Sequence, residues 1–129
     1  MINLKIITPK GLYKEVETTI VNVTSADGER GILPNHMPVV FMLDIGRLQT
    51  IENGVRKDYA ISSGLFYFEN NEASVIVSSI EAKEDIDIQR ALSSKARQLE
   101  KLNSNDPDWD LKRAEVALKK AINRIKIAG

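Results

Sequence analysis

Hydrophobic and polar residues alternate in short runs from the start of the chain to about Ile80. The runs INLKIIT, TTIVNVTS, RLQTIE, VRKDYAIS, LFYFE and EASVIVSSI are separated by turn-forming residues, and such alternation is typical of strands with one buried face. Between two of these runs, Asn53 and Gly54 predict a tight hairpin, because both tolerate the positive φ of a type I′ turn. About eight to ten short strands with no helix between them predict an antiparallel β-sandwich over residues 1–82.

The alternation within VRKDYAIS also predicts which face of that strand is buried. The positions divide into an apolar set and a polar set: Val55, Tyr59 and Ile61 on one face, and Arg56, Asp58 and Ser62 on the other. We therefore expect the first set to face the core and the second set to face solvent.

After Glu84 the hydrophobic period lengthens to between three and four residues, which predicts helices. The first helix, over about residues 86–103, carries one apolar stripe: Ile88, Leu92, Ala96, Leu99 and Leu102. The second, over about residues 107–127, carries a narrower seam: Leu111, Ala114, Leu118, Ala121 and Ile125. Asp106 and Pro107 resemble an N-cap followed by proline at the first helical position. The short connection predicts an antiparallel two-helix hairpin over residues 83–129.

Two short helices paired along a thin seam bury little area, so the hairpin is expected to be only marginally stable alone. It needs a surface to rest on, and a change of that surface would make it a switch. A hairpin packed permanently on the sandwich is the alternative, and the pattern leaves both open.

Composition narrows the class of protein. With 129 residues the chain fits one domain, or a compact domain with an appendage. The absence of cysteine excludes disulfides, thiolate zinc sites and cysteine nucleophiles, and it fits a reduced cytoplasm. No run of about 18 apolar residues and no secretory signal pattern is present, so we expect a soluble, unexported chain without a membrane span. Eighteen basic and eighteen acidic residues argue against nucleic acid as a partner.

The charges are unevenly distributed along the chain. Six basic residues lie between Lys112 and the C-terminus against one acid, Glu115. This basic segment predicts either an acidic partner or a solvated helix face.

Catalytic patterns are missing from the sequence. His36 is the single histidine, and no G-x-S-x-G nucleophile motif accompanies it. The stretch GERGILPNH has neither the lysine nor the spacing of a phosphate-binding loop. No ligand spacing for a metal is present either. We therefore expect a chain that is not an enzyme, with no catalytic residues and no metal site, and we take a small hydrolase using His36 as the weaker alternative.

At GERGILPNHMPVV, residues 28–40, the chain resembles the epsilon subunit of bacterial F-type ATP synthases. Glycine, an apolar pair, proline, asparagine, histidine and proline follow each other there in the family's order. The resemblance extends to LKIITPKGLYKEVE, to SSGLFYFENNEASVIVSS and to the two-helix C-terminus, so it covers nearly the whole chain.

The resemblance implies a non-catalytic central-stalk subunit of the rotor that couples the gamma subunit to the c ring. It implies no required cofactor, and a peripheral location on the cytoplasmic face of the cell membrane. Glu29, Gly31 and His36 match the family's interface with the c ring and gamma. Sequence alone favours a simpler explanation of Glu29, as a turn acid at the end of a hairpin.

In the family, the hairpin lies folded on the sandwich or extends along gamma toward the alpha and beta subunits, where it blocks ATP hydrolysis. The catalytic subunits present an acidic segment there, which would give the basic second helix a partner. Salt should weaken such complementarity.

The stretch IDIQRA, residues 86–91, matches a motif through which several epsilon subunits bind ATP as a regulatory ligand. On a helix Asp87 and Arg90 share a side, so one can accept hydrogen bonds from the nucleoside and the other can donate to phosphate. The resemblance implies a nucleotide site formed by Glu81, Ile86, Asp87, Arg90, Ala91, Arg97 and Arg124, with Lys120 as a weaker match.

Both charged residues of the motif also have a purely structural explanation. An acid in the first helical turn interacts favourably with the helix dipole, and an Asp/Arg pair three residues apart adds a similar few tenths of a kcal/mol. ATP binding therefore remains a hypothesis at this point. A free-standing ATP-sensing module is the alternative to a synthase subunit.

Overall fold

The computed structural model describes residues 1–104 and 110–129, and within them nine strands precede two helices. The strands are β1 Ile2–Thr8, β2 Gly11–Thr18, β3 Val21–Ser25, β4 Gly28–Ile32, β5 Val39–Glu52, β6 Val55–Ile61, β7 Gly64–Glu69, β8 Glu72–Val77 and β9 Ile80–Ala82. A short 3-10 helix, Lys83–Asp85, leads to α1 Ile88–Asn103 and α2 Leu111–Ala128. The predicted fold class, a β-sandwich followed by a helical hairpin, is confirmed.

The strands form one sheet that folds over on itself, in the order β2-β1-β8-β7-β5-β3-β4, with β6 on β5 and β9 on β6. Strand β5 belongs to both layers, because its first part, Val39–Leu43, pairs with β7 and its later part, Gly46–Glu52, pairs with β6. Among the described strands, every pairing is antiparallel as predicted except that of β1 with β8. A parallel pair cannot be joined by a hairpin, and here the six intervening strands provide the long connection that it needs.

Gly46 lies where β5 begins to pair with β6, in close contact with β3. A Cβ placed there would collide with the Thr24 side chain on β3. The Thr24 hydroxyl oxygen also accepts a hydrogen bond from the backbone N–H of Arg47 at 2.9 Å. The close approach of β3 to β5 therefore requires glycine at this position.

The predicted hairpin turn is confirmed, since Asn53 and Gly54 have φ values of 53° and 76°. Asn70 and Asn71, between β7 and β8, adopt positive φ values of 51° and 61° in the same way. Asparagine tolerates this region better than most residues.

The core between the layers is apolar, and its largest fully buried side chains include Tyr59, Phe66 and Phe68. The prediction for β6 is wrong at two positions. Val55 is 55% exposed because it directly follows the turn, where the strand has left the core. Ser62 is buried, and its hydroxyl oxygen accepts a hydrogen bond from the N–H of Ser79 at 2.8 Å.

The two helices pack through a different face of α1 from the predicted one. Ala91 and Gln98 are buried, whereas three members of the predicted stripe are exposed by 40% or more: Ile88, Leu92 and Leu99. On α2, Ala114 and Ala121 are buried as predicted, but Leu111 is exposed. Alanines on both helices allow close approach, and the larger apolar side chains of α1 lie outside the contact.

Helix α2 begins at Leu111, and its N-cap is Asp110, whose carboxylate accepts a hydrogen bond from the N–H of Arg113 at 3.1 Å. The start predicted at Asp106 and Pro107 lies outside the described residues.

Candidate functional site

The predicted nucleotide-binding motif lies at the start of α1. Asp87 is the N-cap of this helix, and its Oδ1 accepts a hydrogen bond from the backbone N–H of Arg90 at 3.1 Å. Both side chains are exposed, and the Arg90 guanidinium forms no ion pair with any residue that the structure describes. Asp87 therefore has a structural role as the N-cap of α1, whereas the expected side-chain pair of Asp87 with Arg90 is not formed, and both charged groups remain accessible to solvent.

Two other predicted residues meet across the junction of hairpin and sandwich. Arg124 of α2 places its Nε 2.9 Å from Oε1 of Glu81 on β9. Together with Lys120 and Ser79 they line a cleft of about 210 Å³. The structure thus brings Glu81, Arg124 and Lys120 together around one cleft.

Ile86 and Ala91 have packing roles. Ile86 is buried in a small apolar cluster with Ala60 of β6 and Ile127 of α2. Ala91 is 1% exposed in the contact between the helices. In this conformation neither side chain is open to a ligand.

Arg97 lies apart from the other predicted residues. It lines a separate cleft toward the opposite end of the hairpin, together with Gln98, Lys101, Asp110 and Arg113. Seven residues separate it from Arg90, which is about 10 Å along a helix axis. The structure does not bring Arg97 to the Glu81–Arg124 pair.

Helix α2 is held on the sandwich mainly by polar contacts. Lys119 donates to both carboxylate oxygens of Asp44, at 2.9 and 3.1 Å, and this contact together with the N–H of Ile45 lowers the pKa of the Asp44 carboxyl. The Asn123 amide donates to the carbonyl of Gly46 at 2.8 Å. The apolar part of the junction is the small cluster around Ile127.

The predicted interface residues Glu29, Gly31 and His36 do not form one cluster. Glu29, near the start of β4, accepts a hydrogen bond from Thr24 at 2.8 Å. His36 follows the end of β4, where its Nδ1 lies 2.7 Å from the carbonyl of Met37 and its ring meets Phe68 edge-on. Gly31 lies between them, exposed on β4.

One surface was not predicted from the sequence. The outer face of β5, β7 and β8 carries neighbouring apolar side chains, here called the outer-face patch: Val40, Met42, Leu65, Tyr67 and Ile76. Met42 is 61% exposed and Val40 55%. The unbroken apolar run VVFML could have indicated this surface. Successive side chains of a strand point to opposite faces, so a strand with only apolar residues has two apolar faces.

A charged cluster lies inside the sandwich, where Glu52 is 8% exposed. Its carboxylate accepts hydrogen bonds from Tyr59 at 2.7 Å and Thr50 at 2.6 Å, and Lys14 of β2 lies 2.7 Å away. Burial raises the pKa of Glu52, but the three donors outweigh it and the pKa is lowered. Burial raises the pKa of Tyr59 to about 12. The cluster ties β2 to β5 and β6.

Over the described residues, neither α1 nor α2 combines the length and the apolar character that crossing a bilayer requires.

Comparison with known proteins gives matches along the whole chain. The family model "ATP synthase, Delta/Epsilon chain, beta-sandwich domain" matches residues 1–83, and "ATP synthase, Delta/Epsilon chain, long alpha-helix domain" matches residues 84–129. The ATP synthase epsilon chain of Desulforamulus reducens is 40% identical, over 97% of this chain and 95% of its own. That of Bacillus velezensis is 34% identical, over 99% of this chain and 97% of its own.

The chain belongs to the ATP synthase epsilon family.

Membership of the epsilon family confirms the resemblance that the stretch GERGILPNHMPVV indicated in the sequence. Solved structures agree in fold: a chain of the Euglena gracilis mitochondrial ATP synthase OSCP/F1/c-ring structure gives a TM-score of 0.84 at 21% identity, covering 95% of this chain and 78% of that one. A chain of the Tetrahymena thermophila mitochondrial ATP synthase central stalk and c ring gives 0.62 at 15% identity, covering 98% and 92%. For an epsilon-family chain, the nucleotide and interface residues named above remain predictions.

Proposed function

We propose that this chain is a non-catalytic central-stalk subunit that connects gamma to the c ring and inhibits ATP hydrolysis through a mobile hairpin. The observation that carries the proposal is the polar, sparsely apolar contact between α2 and the sandwich, formed by Lys119, Asn123 and Arg124 around the cluster at Ile127. Contacts of this kind exchange readily with water, so the docked hairpin can be released at modest free-energy cost.

The sandwich is suited to remain assembled while the hairpin moves. Its main core cluster draws its buried residues from Ile2 to Ala82 and includes no helical side chain. Release of the hairpin therefore leaves this core intact.

The outer-face patch is the proposed surface for gamma. Exposed apolar side chains that adjoin one another mark protein contacts more often than scattered ones do. Glu29, Gly31 and His36, with the exposed Leu33 and Met37 beside them, are the proposed contacts with the c ring and gamma. The Tetrahymena neighbour is part of a central stalk with c ring, which supports a place in the central stalk but does not bear on these individual residues.

The exposed stripe of α1 supports an extended state of the hairpin. In the docked conformation little of the apolar surface of Ile88, Leu92 and Leu99 is buried, since each side chain is at least 40% exposed. Burial of such side chains against gamma would favour extension by about 25 cal/mol per Å². The cations of α2, among them the exposed Lys112 and Arg113, would then meet an acidic segment of the alpha and beta subunits.

ATP would act on the docked state. A triphosphate that binds Arg90 of α1 and Arg124 of α2 joins both helices next to the sandwich, and a ligand that binds one conformation shifts the population toward it. High ATP would hold the hairpin docked and relieve inhibition. In this role the chain is peripheral to the cytoplasmic face of the membrane through its partners.

The test is deletion of residues 86–129 in the assembled synthase. We expect the truncated chain to assemble with gamma, and ATP hydrolysis by the complex to rise. Assembly with gamma but no change in ATP hydrolysis would contradict the switch, and loss of assembly would contradict the independence of the sandwich from the hairpin.

A second variant separates assembly from inhibition. Met42→Glu, in the outer-face patch, is expected to prevent co-purification with gamma, whereas Val55→Glu, similarly exposed on β6, is expected to leave it intact. A full-length chain that never co-purifies with gamma would favour a free-standing ATP-sensing module.

A further inference from the structure

A second cleft, larger than the one beside Glu81, lies between the outer face of β5 and β6 and the last turn of α2. Its volume is about 430 Å³. Four cations line it and define what we call the basic cleft: Arg47 of β5, Arg56 of β6, Lys83 of the 3-10 helix and Lys126 of α2. Glu29 and Asp58 are the acidic side chains that line it, and Thr24, Asn123 and Gly129 also contribute to its wall.

The cations of this cleft are only partly neutralised. Arg56 lies 3.6 Å from Asp58, and Arg47 lies 4.0 Å from Glu29, both longer than a charge-assisted hydrogen bond. Lys83 and Lys126 form no ion pair with any described residue. Asp58 is further engaged by the amide of Gln49 at 2.9 Å. The side chains that line the cleft therefore carry an excess of positive charge.

Arg47 also has a buried donor without an acceptor. Its Nε is shielded from solvent and has no hydrogen-bond partner among the described residues. Buried donors in native proteins are nearly always paired with protein or ordered water, so this nitrogen takes an acceptor from outside the chain, either a water molecule or an anion in the cleft.

We infer that the basic cleft binds a small oxyanion of the phosphate class. Guanidinium groups donate in a planar fork that suits phosphate oxygens, and lysine ammonium groups add point charges that need no fixed orientation. The volume admits inorganic phosphate or pyrophosphate. None of its lining residues belongs to the predicted nucleotide site, so the inference stands apart from the IDIQRA motif.

An anion in this position connects two parts of the chain. Arg47 and Arg56 belong to the sandwich, whereas Lys126 belongs to the hairpin. A ligand that contacts both binds the docked hairpin better than a released one, and so stabilises docking by mass action.

The test is calorimetric titration of inorganic phosphate, and separately pyrophosphate, into the full chain at low, constant ionic strength. We expect saturable binding that Arg56→Gln and Lys126→Gln each weaken by about tenfold or more, the loss of one charge-assisted contact. Lys112→Gln is the matched control, because it removes an exposed cation from the same helix outside the cleft. Circular dichroism of each variant verifies that it is folded.

Three results would overturn the inference. The first is absence of saturable binding of either anion. The second is equal weakening by Lys112→Gln and Lys126→Gln, which would mean unspecific attraction to charge. The third is loss of phosphate binding in Arg90→Ala with full retention in Lys126→Gln, which would assign the anion to the nucleotide motif. Protection of α2 amides from hydrogen exchange by phosphate, absent in Lys126→Gln, is the expected second readout.

Discussion

The guanidinium of Arg124 and the carboxylate of Glu81 join α2 to the last strand of the sandwich, with Nε and Oε1 2.9 Å apart. We expect Glu81→Gln to weaken docking of the hairpin by up to about 1 kcal/mol, the range for a partly exposed ion pair. Faster hydrogen exchange of the α2 amides would report it. Glu84→Gln is the control, because Glu84 pairs with Lys57 and not with the hairpin. Equal exchange in the wild type and Glu81→Gln would show that the pair contributes nothing to docking.

Asp87 allows its capping role and its predicted ligand role to be separated. Asparagine caps helices as well as aspartate does, whereas alanine costs about 1 kcal/mol. We therefore expect Asp87→Asn to keep the stability of the chain but lose ATP affinity in calorimetry, and Asp87→Ala to lose both. Asp110→Ala removes the equivalent cap of α2, which lies outside the motif. It should therefore lower the stability of the chain, while the folded chain keeps its affinity for ATP. Unchanged ATP affinity in Asp87→Asn would show that the Asp87 carboxylate caps the helix and does not contribute to ATP binding.

The buried cluster around Glu52 predicts how stability depends on pH. Its pKa in the folded chain is below the ordinary value of 4.5, so its stabilising contribution is present above that pH and is lost as the pH falls through the lowered pKa. For Tyr59 the neutral form is favoured, so stability falls as the pH rises from 10.0 toward about 12. Burial disfavours the charged form of Lys14, but its hydrogen bonds to Glu52 and Tyr59 outweigh this effect and raise its pKa. Deprotonation of Lys14 therefore adds to the loss of stability at alkaline pH.

We expect Glu52→Gln to lower the free energy of unfolding by about 2 kcal/mol at neutral pH, because it leaves the Lys14 ammonium without its counter-charge. The difference from the wild type should shrink as the pH falls below 4.5. Urea unfolding at several pH values measures this. Glu17→Gln, an exposed acid on the same strand as Lys14, should show no such pH-dependent difference.

The packing of α1 can be tested by paired substitutions. Leu92→Gln and Leu99→Gln change exposed positions, so we expect each to alter the stability of the isolated chain by no more than about 0.5 kcal/mol. Ala91→Leu adds volume at a position that is 1% exposed and should cost about 1–3 kcal/mol. If the leucines prove the costlier sites, the face predicted from hydrophobic periodicity is the packed one after all.

How far the sequence predicts the structure depends on whether each feature is determined locally. The Asn53-Gly54 turn and the alternating strands follow from backbone preferences of adjacent residues, and they were predicted correctly. The hairpin face was not, because periodicity identifies an apolar stripe but not which partner covers it. In α1 the contact uses Ala91 and Gln98, and the residues with the strongest hydrophobic signal remain outside.

The candidate site was predictable only in part for the same reason. The proximity of Glu81 to Arg124 came from the family resemblance, and no local pattern in this sequence connects residues so far apart. The cluster of Lys14, Glu52 and Tyr59 was missed because each residue has an ordinary explanation in its own strand, and only the pairing of distant strands assembles them.

The parallel pairing of β1 with β8 determines when the sheet can be completed during synthesis. Asn3 to Ile7 pair with Glu72 to Ile76, so the first strand made must wait for the eighth. At about 5–20 residues per second, the interval on the ribosome is several seconds. Until then β1 has only β2 beside it, and one of its edges is open to other chains. The hairpin is synthesised last, and α2 therefore docks onto a sheet whose strands are already complete.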